Sequence, residues 1–197
     1  MKSTSMQISI LSLASLLLGC GVAPTPSEAA SCSPTEADAL GPFYVAGTPI
    51  VDDLNRHGKS GDPLRLDGRI LSARDQAPIV GARIEIWQTD GNGDYHPDGN
   101  GEYSDYDDGD IDLRGAVISD DDGRYVVNTL VPGAYVPRPQ HFHLRVTASD
   151  HAPLVTQLYI TGDDAGRQPG GDCRHAPLER DAEGIHYHAP DVFLRLE

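Results

Sequence analysis

The residues in this chain whose types and spacing could do chemistry begin with His141-Phe142-His143, two imidazoles separated by one position. Side chains alternate along a strand, so residues two apart share a face and can reach a single ion. The apolar residues Phe142, Leu144 and Val146 hold the other parity. Burying them sends His141 and His143 together to the opposite face. A lone His-x-His pair occurs on many strands, and its surroundings give it weight: Arg138 stands three residues and Tyr135 six residues before His141. A second phenol, Tyr95, follows Trp87 by eight residues. His186 and His188 repeat the His-x-His pattern with no Tyr and Arg before them. They read as a surface or core pair, with a second metal site or a pocket contact as the alternative.

The elements that must position these groups are strands. The chain has 197 residues, enough for one domain, and its 21 Gly and 15 Pro punctuate short segments rather than helices. Alternation predicts strands over 64–71, 82–88, 124–129, 141–147, 154–160 and 192–196, with turns at Gly81, Asp122-Gly123, Pro132-Gly133 and Ser149-Asp150. No useful helical periodicity follows residue 31, so the expected fold is all-β, a single-domain β-sandwich with long loops over residues 32–197. The longest polar stretch, 89–112, is rich in Asp and carries DGNG at 90–93 and again at 98–101. Asp90, Asn92 and Asp94 match the first ligands of a calcium loop, but Tyr95 stands where that loop needs Gly and Gly101 where it needs Glu. A solvated acidic loop is the better reading. Tyr95 and Tyr103 both follow a Gly-Asn-Gly-acid tetrapeptide, and the step from Trp87 selects Tyr95.

With these residues in place, the sequence resembles the intradiol ring-cleavage dioxygenases, the family of catechol 1,2-dioxygenase and protocatechuate 3,4-dioxygenase. Gly41-Pro42-Phe43-Tyr44-Val45-Ala46-Gly47-Thr48-Pro49 is similar to the family's GPxYVxGxP opening, and 81–95 to its GAxVExWxxxxxGxY stretch. Asp120 to Tyr125 followed by Pro132-Gly133-Ala134-Tyr135 resembles DxxGxY then PxxY, Arg138 to His143 resembles RPxHxH, and 154–158 resembles the next strand with its Gln157. The resemblance covers nearly the whole domain, in order. It implies one ferric ion per chain, held by Tyr95, Tyr135, His141 and His143, a donor set that suits iron(III) better than zinc. It also implies a catecholic substrate and dioxygen, cleavage between the two hydroxyl-bearing carbons, and a cis,cis-muconate-type product. Tyr135 would leave the metal as substrate binds, Arg138 would stabilise charge developing on the ring, and Gln157 would lie beside it. Two departures stand out: the Tyr135-to-Arg138 connection is much shorter than in the cytoplasmic enzymes, as in exported members, and about twenty residues between Cys20 and Gly41 leave no room for a helical dimerisation domain. Choice of catechol and self-association stay open.

The formal charge is −15, and removing residues 1–19 takes away only Lys2, leaving −16. Such a field repels nucleic acid and anionic lipid. Lys2 and the short apolar run 8–18 read as an export signal, too short to span a bilayer, and Leu17-Leu18-Gly19-Cys20 resembles the bacterial lipoprotein box. On that reading 1–19 is the signal, Cys20 carries lipid, and 20–31 is a tether holding the domain at a bacterial membrane on its periplasmic or cell-surface side. An ordinary secretory signal cleaved near Ala29-Ala30 is the alternative. With Cys20 acylated, Cys32 and Cys173 remain as an even pair in an oxidising compartment, a disulfide unless left as two free thiols.

The rival function is a non-catalytic, transthyretin-like β-sandwich binding module on a lipoprotein, which shares the turn patterns but has no use for two Tyr, an Arg and His-x-His at these spacings. On that rival reading, Tyr135 is a packing residue at a sandwich corner.

Overall fold

Alternation along the sequence becomes two facing sheets. A computed structural model describes residues 32–135, 137–162 and 172–197. Its strands, in chain order, are β1 (Val45–Ala46), β2 (Pro63–Ser72), β3 (Arg83–Trp87), β4 (Gly101–Glu102), β5 (Arg114–Ile118), β6 (Arg124–Leu130), β7 (His141–Ala148), β8 (His151–Ile160), β9 (His175–Ala176), β10 (Glu179–Arg180), β11 (Ile185–His188) and β12 (Val192–Leu194). One sheet has the order β5-β3-β7-β8-β9, and the other runs β10-β11-β2-β12 with β6 on the free edge of β2. The inner faces meet in an apolar core, Leu66, Ile70 and Val127 from one sheet against Ile84, Phe142 and Leu144 from the other, all essentially inaccessible to water. Each such side chain contributes roughly 1.5–3 kcal/mol on burial. The fold is the expected β-sandwich, and the described helical pieces are short 3-10 turns.

Besides the two-residue strands β1, β4, β9 and β10, the longer strands β5 and β11 are absent from the periodic reading. Arg114-Gly115-Ala116-Val117 does not alternate because all four residues are buried: segment 49–54 pairs along the free edge of β5, with Ala116 N–H donating to Pro49 O at 2.8 Å and Val51 N–H to Ala116 O at 2.9 Å. Gly115 permits that approach, since a Cβ there would fall 2.4 Å from Val51 Cγ2. β11 is short and depends on parallel pairing with β2. His186 and His188 flank its fully buried Tyr187 and look outward, His188 Nδ1 lying 2.8 Å from Asp67 and His186 Nε2 3.3 Å from Asp181.

At the amino-terminal side, Cys32 is joined to Cys173, 141 residues later, with their Cα atoms 5.3 Å apart. The segment that follows Cys32 lies along the sandwich, Thr35 N–H donating to Phe193 O and Asp38 N–H to Val155 O. The signal segment 1–19, Cys20 and the tether 20–31 lie outside the described residues. Among the described residues no helix is long and apolar enough to cross a membrane.

Candidate metal centre

Strand register builds the site on the outer face of the first sheet. Trp87 of β3 and Gln157 of β8 are the cross-strand neighbours of His143, and Tyr159 is that of His141. Side chains directly opposite on one face are in contact range. The Trp87 ring stacks on His143 with centroids 4.8 Å apart and planes 10° from parallel, which fixes the imidazole. Gly41, at φ +76°, passes close to the same ring: a Cβ there would lie 3.2 Å from His143 Cε1. His141 Nδ1 lies 2.6 Å from Pro139 O, and donation to that carbonyl leaves Nε2 as a bare lone pair. It faces Nε2 of His143 at 3.1 Å.

Two loops bring the phenols to this pair, and glycines let the loops touch. Gly133 N–H donates to Asp90 O at 2.7 Å, and Thr89 Oγ1 donates to Gly133 O at 2.8 Å. A Cβ on Gly133 would fall 2.4 Å from Gly93 N, so only a residue without one fits there. Asp90 closes its own turn, accepting from the N–H groups of Asn92 and Asp94 at Oδ1 and facing His96 through Oδ2. Its carboxylate therefore serves the turn that aims Tyr95. Phe43 stacks on Tyr95 at 4.2 Å, and Arg138 N–H donates to Tyr135 O at 2.7 Å in a tight turn. The four rings then surround one point: Tyr95 to Tyr135 5.8 Å, Tyr135 to His141 5.9 Å, His141 to His143 4.7 Å and Tyr95 to His143 6.3 Å between centroids.

The electrostatics suit a cation. Burial pushes His141 down to about 4, against the pull of the Pro139 carbonyl, and burial with the neighbouring His141 holds His143 well below the ordinary imidazole range. Both are neutral at pH 7, the form that ligates metal. Burial, then the adjacent Tyr135 phenol, raises Tyr95 far above the usual phenol range, and its hydroxyl lies inside without a well-formed hydrogen bond. An orphaned buried phenol is costly unless something charged is meant to meet it. Among the described residues no three His, Cys, Asp or Glu side chains gather as a metal site, and the oxygen groups nearest the imidazole pair are the phenols of Tyr95 and Tyr135. Oxygen and nitrogen donors without thiolate fit a ferric ion.

The structure thus brings Tyr95, Tyr135, His141, His143, Arg138 and Gln157 together. Arg138 donates from Nη2 to Gln157 Oε1, while its buried Nε has no partner. Tyr103 is held elsewhere, donating to Asp108 Oδ1 at 2.7 Å. Sequence reasoning missed Arg114, which is 1% exposed and donates to the carbonyls of His96 and Pro97 at 2.8 and 2.9 Å and to that of Phe43. It ties the Phe43 segment to the Tyr95 loop without a carboxylate, and burial lowers it to about 10. An Arg between the apolar residues Leu113 and Ala116-Val117 was the available signal.

The class defined by fold and site is a β-sandwich that gathers two loop-borne phenols beside two imidazoles on the outer face of one sheet. The family model described as Dioxygenase matches residues 39–169. Hydroxyquinol 1,2-dioxygenase of Nocardioides simplex is 30% identical over 66% of this chain and 48% of its own length, and catechol 1,2-dioxygenase of Acinetobacter baylyi is 34% identical over 62% and 45%. The chain thus spans about half the length of the curated relatives it matches. Among solved structures, the dioxygenase domain of a dioxygenase carbohydrate-binding protein fusion from Streptomyces sp. SirexAA-E superposes with TM-score 0.68 at 26% identity, covering 84% of this chain and 100% of that one. Hydroxyquinol 1,2-dioxygenase from Pseudomonas putida DLL-E4 gives 0.65 at 25% identity, covering 83% and 67%. The chain belongs to the intradiol ring-cleavage dioxygenase family, which depends on non-haem iron.

Proposed function

We propose that this chain cleaves a catecholic ring between its hydroxyl-bearing carbons with dioxygen, giving a cis,cis-muconate-type diacid, on one ferric ion held by Tyr95, Tyr135, His141 and His143. The observation that carries this reading is the convergence of two phenols and two neutral imidazoles beside the half-buried Arg138 guanidinium, whose Nε has no partner. When bound, the ferric ion supplies the chelation and activation of the catechol toward oxygen. The chain supplies the rest. Trp87 and the Pro139 carbonyl hold the two imidazoles in orientation and tautomer. Tyr135, less buried than Tyr95, would as a metal-held phenolate take the proton of an incoming catechol hydroxyl at Oη and become a neutral phenol. Arg138 places a permanent positive charge where negative charge grows on the ring, and its unpaired Nε is a donor kept for substrate.

The matched relatives act on catechol, chlorocatechol and hydroxyquinol by name. The short Tyr135-to-Arg138 turn, closed by one backbone hydrogen bond, supports the expectation that substituted rings of that kind are accepted. We place the domain outside the cytoplasm, anchored through lipid on Cys20, a reading supported by the Leu-Leu-Gly-Cys sequence and by the pairing of Cys32 with Cys173. Iron analysis, the red-brown colour of ferric tyrosinate and product analysis with labelled oxygen across a panel of catechols test the activity. Tyr95→Phe and His143→Ala should lose iron and colour. A colourless, iron-free wild type, or iron-loaded protein that consumes no oxygen with any catechol, returns the binding module to first place.

A further inference from the structure

Behind Arg138 and Gln157 runs a chain of buried polar groups that the proposed ligand set does not use. Gln157 is 1% exposed, and every polar atom of its amide is engaged: Nε2 donates to Ala39 O at 2.7 Å, while Oε1 accepts from Arg138 Nη2 and lies 2.9 Å from Tyr159 Oη. A flipped amide would set NH2 against the guanidinium and oxygen against the Ala39 carbonyl, so the orientation is fixed. Tyr159 is fully buried, and its single hydroxyl proton lies between two acceptors, Gln157 Oε1 and Asp38 Oδ2, each 2.9 Å away. Asp38 Oδ2 also accepts from Arg174 Nη1, and Asp38 Oδ1 accepts from the Ala39 N–H at 2.7 Å. Arg174 is 4% exposed, lies 5.5 Å from the Tyr159 ring centroid and follows the half-cystine Cys173.

We infer that Asp38, Arg174 and Tyr159 are positioning residues that act through Gln157 to aim the Arg138 guanidinium at the bound ring. The inference rests on the proposed dioxygenase reading and extends it to groups that touch neither the metal donors' coordinating atoms nor substrate. The physical reason is the side chain itself. Arg138 has a long, rotamer-rich stem, and a guanidinium aimed at one small ring gains its full effect only if its direction is set before substrate arrives. Gln157 sets that direction, and Gln157 is in turn held from behind by a hydroxyl anchored to an ion pair. The Ala39 carbonyl and the Asp38 side chain come from the same segment, so the acceptors that lock the amide and the hydroxyl move together. The chain of contacts starts at the disulfide and ends at the active-site cation.

The test uses the full chain loaded with iron, with Tyr159→Phe and Asp38→Asn as near-isosteric variants and Arg69→Ala, which breaks an exposed ion pair with Asp191, as a control. Iron content and the charge-transfer band should match wild type in all three, while kcat falls about tenfold in the first two and stays unchanged in the control. In an Arg138→Ala background, Tyr159→Phe and Asp38→Asn should cost no more than about twofold, because the residue they act through is gone. Losses that add in full to that of Arg138→Ala, wild-type kcat in both variants, or reduced iron and altered colour in either would overturn the inference, the last by moving the effect to the ligands. Inactive wild-type protein would sink the dioxygenase reading itself and this inference with it. Active wild type with indifferent variants would sink the inference alone.

Discussion

Alanine at position 133 would force apart the two loops that carry Tyr95 and Tyr135. Its Cβ would stand 2.4 Å from Gly93 N, 2.7 Å from Gly91 O and 2.9 Å from Asn92 C. All three are backbone atoms, so no side chain can rotate away, and the loops must separate by roughly 1 Å to restore ordinary contact. Overpacking of this kind costs about 1–3 kcal/mol. The separation also stretches the Gly133 N–H to Asp90 O and Thr89 Oγ1 to Gly133 O hydrogen bonds, each worth about 1 kcal/mol. A total of about 2–4 kcal/mol converts to a fall in Tm of roughly 5–15 °C for a chain of this size. Because the displaced loops hold the two phenols, iron affinity should drop at least about tenfold together with stability. Thermal melts and an iron titration followed by the tyrosinate colour measure both. Gly109→Ala, where a Cβ meets nothing within 4 Å, is the control and should melt with wild type. If Gly133→Ala melts within about 2 °C of wild type and takes up iron as before, the reasoning that these loops are locked by backbone contact is wrong.

Arg114→Met should destabilise the protein by about 2–4 kcal/mol in denaturant melts, since it strands the carbonyls of Phe43, His96 and Pro97, and wild-type stability would show that those carbonyls find other donors. In metal-free protein the depressed pKa of His141 sets a pH dependence: the unfolded imidazole takes up its proton more readily, so stability is full above about pH 6.5 and falls as pH drops toward about 4. The loss from this group is about 3 kcal/mol and should be absent in His141→Gln; equal acid sensitivity in both would place it elsewhere. Cys173→Ser, which opens a loop spanning 141 residues, should lower stability by about 2–5 kcal/mol, checked by urea unfolding with and without reductant.

Much of the site was legible because it depends on short-range rules. The step of two that buries Phe142 presents His141 and His143 together, and the eight residues from Trp87 to Tyr95 distinguish that phenol from Tyr103. Groups set by tertiary approach were not legible. β5 lacks alternation because segment 49–54 pairs along its edge and buries it, and β11 exists through pairing with a strand more than a hundred residues earlier. The DGNG repeats read as polar loop, which they are, but the use of Gly91 and Gly93 lies in what approaches them: Gly61 and Ser60 on one side, Ala134 on the other. Asp38 and Arg174 had no local signature at all, since their meaning is a meeting across 136 residues.

The bond between Cys32 and Cys173 also changes what a protease can achieve. A single cut anywhere between those two cysteines leaves one covalent molecule, since the pieces remain linked through sulfur. Asp38, Tyr95, Tyr135, His141, His143 and Gln157 all lie inside that closed span, and Arg174 adjoins it. A nicked chain therefore cannot lose half of these side chains by diffusion; it runs as one species on a gel until reductant separates the fragments. That is protection of a kind that thermodynamic stability alone does not give.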